Sequence, residues 1–95
     1  MFIVFLRFSA NKSSAPEFMD GHNQWLKQGF DDGVFLIAGS LQPGLGGAII
    51  ARDTDRAAIE SRVANDPFVV ENVVSAEIME MSPAKTDPRL DFLLS

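Results

Sequence analysis

Glu17-Phe18-Met19-Asp20-Gly21-His22-Asn23-Gln24-Trp25-Leu26 holds the only histidine and the only tryptophan of a 95-residue chain. Wound as an α-helix at about 100° per residue, it gathers Phe18, Met19, His22, Trp25 and Leu26 within roughly 120° of arc. Asp20, Gln24, Lys27 and Asp31 fall on the opposite side. The one imidazole, a group that ordinarily changes charge near neutral pH, therefore lies inside an apolar stripe. Two readings are open: an interior histidine tied to a backbone carbonyl, or a proton-transfer group at a site.

The flanking residues frame this helix. Ser14-x-x-Glu17 spells a capping box with Pro16 in the first turn, and Gly33 suits the position after a helix ending near Asp32. Asp31 and Asp32 oppose the helix dipole there. Upstream, Phe2 to Phe8 is short and rich in β-branched and aromatic residues, as a strand should be. Phe2, Val4, Leu6 and Phe8 point one way; Ile3 and Phe5 point the other, before Arg7. Apolar side chains on both faces imply a strand covered on both sides.

Downstream, Val34 to Ala38 reads as a second strand and Gly47 to Arg52 as a third. Between them, Gly39 to Gly47 matches neither dinucleotide nor P-loop spacing. It is either a hairpin connection with special backbone angles or a loop whose backbone approaches a small ligand. Thr54 or Asp53 is expected to cap a second helix, Asp55 to about Asn65, with Ile59 and Val63 as its apolar seam. Asp66 continues that seam at i+3 from Val63, and Pro67 turns it out of the helix. Val73 to Ser82 reads as a fourth strand. Beyond Pro83 a polar tail ends in Leu90-Asp91-Phe92-Leu93-Leu94, which is expected to dock on its own domain or on a partner.

The order β-α-β-β-α-β predicts an α+β, ferredoxin-like domain over residues 1–82, with residues 83–95 as a C-terminal tail. Both helices then cover one face of a four-stranded antiparallel sheet. Ile3, Phe5, Phe35, Ile37 and Met79 are expected on the other face, which needs a cover. A second copy of the chain is the simplest one, giving a homodimer with sheets packed face to face.

Composition narrows function. Net charge is −5, and the eight basic residues are scattered, a poor basis for binding nucleic acid or anionic membrane. The chain has no cysteine, which removes disulfides and thiolate chemistry. With one histidine and no HExxH spacing, no metal is expected. Met1 to Leu6 lacks a basic leader, Arg7 ends the apolar run, and no run is long enough to span a membrane. A cytoplasmic protein is expected.

The short apolar first strand, His22 with Trp25-Leu26, Gly33-x-Phe-x-x-x-Gly39, Gly46-Gly47 and Asp66-Pro67-Phe68 together resemble the YciI-like (YCII-related) family, in the dimeric α+β barrel group. The likeness covers residues 1 to about 82. It implies a dimer and a site built around the family's histidine and aspartate, which fall on His22 and Asp66. The chain departs from the family pattern in two places. Asn23 replaces the usual apolar residue after the histidine, and Ala38-Gly39-Ser40 replaces Ser-Gly-Pro.

Beside His22, an Asp66 carboxylate would fix the imidazole tautomer and make the ring a usable general base. Asp66 has a second reading, as an N-cap with Pro67 at the first helical position. Ser40 is a candidate ligand contact in preference to a nucleophile. Trp25 and Arg7 are further substrate-binding candidates, Trp25 by stacking and Arg7 by charge. Each has a plainer alternative, in packing or in a surface ion pair. The resulting expectation is a cofactor-independent enzyme of isomerase or lyase type acting on a small molecule. A non-catalytic ligand-binding or accessory dimer is the alternative.

Overall fold

The computed structural model describes residues 1–94. Ser95, the last residue of the expected tail, lies outside the described residues. Four antiparallel strands, β1 (Phe2–Phe8), β2 (Phe35–Leu41), β3 (Gly46–Ala51) and β4 (Val74–Glu80), form one sheet in the order β2-β3-β1-β4. Helices α1 (Ala15–Asp31), α2 (Arg56–Ala64) and the single turn α3 (Pro67–Val70) complete the ferredoxin-like α+β plan.

The alternation read in β1 is the one observed. Phe2, Val4 and Leu6 are buried, while Ile3, Phe5 and Arg7 face outward. Register carries that pattern across the sheet. Val4 lies opposite Ile49 and Ile78, and Phe2 opposite Ala51. These side chains meet Ile59 and Val63 of α2, Phe68 of α3, and Phe18, Trp25 and Leu26 of α1 in one core.

Phe35 departs from expectation. It is buried, and its ring meets Trp25 and Phe30 edge-on at 5.2 and 6.0 Å. A bulge between Phe35 and Ile37 is the cause: Phe35 pairs with Ala51, but Ile37 pairs with Ile50. One extra residue switches side-chain direction, so Phe35 points to the helices and Ile37 away from them.

The caps also differ in detail. A 3₁₀ turn, Lys12–Ser14, leads into α1 and leaves Ser14 at ψ near 0°, with no side-chain cap bond. The extended geometry that a capping box needs is absent there. Asp55, and not Asp53 or Thr54, caps α2 by accepting from the Ala58 N–H at 2.8 Å. At the other end of α1, the N–H groups of Gly33 and Val34 donate to the carbonyls of Phe30 and Gly29. This is a Schellman motif with Gly33 at φ +74°.

Asp32 ties the end of α1 to α2 through Arg62, at 2.8 Å. The Arg62 bond, helped by one from Gln28, holds the Asp32 carboxyl below its ordinary range. A lowered carboxylate value stabilises the fold above the ordinary carboxylate range, and the benefit is lost as pH falls through the lowered value. Asp32→Asn should therefore melt earlier than the parent at neutral pH. Thermal melts recorded down a pH series should show that gap closing in acid.

Phe92, in the tail, contacts Arg52 just past β3. The Arg52 guanidinium donates to the Phe92 carbonyl at 3.0 Å and lies 5.2 Å from the Phe92 ring centroid. Met1 and Met81 exchange backbone hydrogen bonds beside it. This end of the sheet lies opposite the cavity described next.

Candidate active site

Asp66 is fully buried and stands between α2 and α3 in an extended conformation, φ −61° and ψ 123°. Its Oδ1 accepts from the Phe68 N–H at 3.0 Å, capping α3. The same oxygen is hydrogen-bonded to His22 Nδ1 at 2.8 Å. The two roles weighed for Asp66 are thus met together, since a carboxylate oxygen has lone pairs for both. With Asp66 as a carboxylate, His22 Nδ1 is the donor of this bond and Nε2 carries the lone pair.

Helix contact brings the pair together. A Cβ on Gly21 would meet Pro67 Cγ at 3.2 Å, so glycine lets α1 lie close against α3. The Phe68 ring stacks on the imidazole with centroids 4.0 Å apart and planes 4° apart. One short segment therefore bonds the edge of the ring and packs its face. Nε2 has no protein partner among the described residues and is not sealed from solvent, although the side chain is only 13% exposed.

His22 lines a half-open cavity of about 300 Å³ between α1 and the sheet. Its walls include Leu6, Phe8, Leu26, Ile49 and Val74, with Ala38, Gly46 and Gly47 on the floor. Ser40 and Asn23 are its other polar side chains. Gly46 and Gly47 thus belong to the hairpin backbone and also line the cavity.

The remaining candidates lie elsewhere. Trp25 donates from Nε1 to the Arg62 carbonyl at 2.9 Å and is not among the cavity residues. Arg7 projects from the outer sheet face, bonded to Glu77 at 2.9 Å and stacked over Phe5. The structure therefore bonds His22 to Asp66 and puts Ser40 in the same cavity lining as His22; the Trp25 ring stacks 5.8 Å from the imidazole without lining the cavity, and Arg7 lies on the other sheet face. Sequence reasoning gave no role to Phe68 or Asn23. Both were visible as neighbours of the two key residues, but which way they turn was not.

Asp66 Oδ2 is buried with no hydrogen-bond partner among the described residues. Asp66→Asn keeps an acceptor for both donors but buries an amide N–H₂ where no acceptor stands. A stability loss of about 1–3 kcal/mol is expected, measurable by denaturant unfolding. Asp66→Ala should cost more, because it also strands the Phe68 and His22 donors.

Together these features define a small α+β domain with a histidine–carboxylate pair in the wall of an apolar cavity. The chain belongs to the YCII-related domain family, whose profile matches residues 1–82, as the resemblance implied. Its fold is similar to that of 5-chloro-2-hydroxyhydroquinone dehydrochlorinase (TftG) from Burkholderia phenoliruptrix AC1100, solved in complex with 2,5-dihydroxybenzoquinone. The TM-score is 0.69 at 14% identity, over 85% of this chain and 93% of that one. Identity that low speaks for the fold alone. No curated protein matches the chain.

Proposed function

We propose that this chain is a cofactor-independent enzyme of isomerase or lyase type, with His22 as general base and Asp66 as the residue that orients it. The observation that carries this reading is His22 Nδ1 hydrogen-bonded at 2.8 Å to a buried Asp66 oxygen, in a ring that lines a cavity. A substrate C–H or O–H bond gives its proton to Nε2, and the electron pair stays on the substrate. Asp66 then balances the imidazolium. In isomerisation the proton returns at another atom; in elimination the pair expels a leaving group. The neighbour's name, a dehydrochlorinase, and its small cyclic carbonyl ligand support the elimination branch. Ser40 is a ligand contact in this reading, while Trp25 and Arg7 act away from the ligand.

The test is a panel of small cyclic and carbonyl compounds incubated with the protein in D₂O. Deuterium uptake or loss of a leaving group that depends on His22 supports the reading. Saturable binding with neither reaction would make the chain a ligand-binding protein instead.

The same reading includes a cytoplasmic homodimer. Among the described residues, no helix is long and apolar enough to cross a membrane. The outer sheet face carries Ile3, Phe5, Ile37, Ile50 and Met79, with Ile37 62% and Met79 52% exposed. A contiguous apolar face of this kind marks an interaction surface. Ile37→Lys should convert the dimer to monomer in sedimentation velocity. A parent chain already monomeric at micromolar concentration would remove the dimer from the account.

A further inference from the structure

The cavity's electrostatics say what it selects, an argument that rests on the general-base reading above. Among the described residues, its lining contains no lysine, arginine, aspartate or glutamate. The charged group nearest the base is Asp66, buried behind the imidazole. With Asp66 as a carboxylate, the His22–Asp66 pair carries one negative charge when the ring is neutral and none when it is protonated. In neither state does the pair offer net positive charge. Lys12 lies over the Phe8 ring, 4.8 Å from its centroid, but does not itself line the cavity. Arg7 is held by Glu77 on the opposite sheet face. A carboxylate or phosphate entering here would lose its water without a cation to replace it.

Two polar side chains in the lining remain uncommitted. Neither the Asn23 carboxamide nor the Ser40 hydroxyl has a protein partner among the described residues. Ser40 faces the helices from β2, opposite Gly47. The volume of about 300 Å³ is at the low end of ligand pockets and holds roughly ten waters, or a ligand of about that many non-hydrogen atoms.

We infer that the cavity takes an uncharged ring or carbonyl compound of that size, and that Asn23 and Ser40 are substrate-binding residues that hold its oxygen. Proton loss to Nε2 leaves the electron pair on the substrate as an enolate or phenolate. The Asn23 N–H₂ and Ser40 O–H donate to that oxygen, so negative charge is stabilised where it develops and not on entry.

Benzamide and benzoate test this, because they match in shape and differ in charge. The chain's single histidine provides an imidazole NMR resonance that needs no assignment. Benzamide should shift that resonance saturably, with benzoate at least tenfold weaker. Asn23→Leu and Ser40→Ala should each weaken benzamide threefold or more, with unchanged circular dichroism. Benzoate binding as well as benzamide, binding unaffected by both variants, or no binding by either probe would overturn the inference. The outcome separates cleanly from that of the base reading. Charge selectivity with no D₂O exchange would remove the base and leave the inference standing; exchange without selectivity would do the reverse.

Discussion

His22→Gln is expected to lower turnover by about 10²–10⁴, the usual contribution of a positioned general base, while the chain stays folded. Glutamine reaches a similar distance, and its amide N–H₂ can donate to Asp66 Oδ1 in place of Nδ1–H. What it lacks is a lone pair basic enough to take a proton near neutral pH. The stack on Phe68, 4.0 Å from the imidazole, is lost as well, which costs about 0.5–1.5 kcal/mol. A chain of this size has about 5–15 kcal/mol in hand, so the variant should still melt cooperatively. The deficit should appear in kcat, with KM little changed, if His22 acts on the proton and Ser40 and Asn23 hold the substrate as proposed. Turnover at the parental rate would end the catalytic account.

Gly46→Ala is expected to destabilise the fold by roughly 3–5 kcal/mol, combining backbone strain with overpacking. Gly46 begins β3 at φ +127°, a region closed to other residues. A Cβ there would stand 2.0 Å from the Leu6 carbonyl oxygen and 2.9 Å from Arg7 Cα. Both obstacles are backbone in the central strand β1, so neither can step aside without breaking the pairing of Arg7 with Gly46. At roughly 4–8 °C per kcal/mol, melting should fall by about 12 °C or more. Gly39→Ala is the control. Nothing lies within 4 Å of a Cβ at Gly39, and its stability should change by no more than about 0.5 kcal/mol. Equal effects at the two glycines would contradict the steric account.

The sequence was most legible where one periodicity governs many residues. The alternation in β1 and the Ile59–Val63 seam in α2 each repeat a burial pattern, and both stand as read. Asp66 was legible because its position extends that seam and Pro67 stops the helix. Phe35 was not, because the bulge beside it changes residue direction without any glycine or proline to announce it. Ser14 failed as a cap because the preceding residues coil into a 3₁₀ turn, a conformation that Asn11-Lys12-Ser13 equally permits. Trp25 was read correctly into the stripe, yet the stripe is wide enough to face both the cavity and α2. His22 turns toward one and Trp25 toward the other, and only the packed helices decide which. Nothing in the alternation of β1 says that Arg7 finds Glu77, since that bond depends on the register of β4.

The most direct test is ¹⁵N NMR of the single imidazole. The account rests on Nδ1 donating to Asp66 and Nε2 keeping its lone pair toward the cavity. Above the ring's titration, Nδ1 should give the protonated shift with its N–H coupled to the ring, and Nε2 the unprotonated shift. In Asp66→Ala the two tautomers should mix. A parent ring protonated at Nε2, with Nδ1 bare against the carboxylate, would contradict the account.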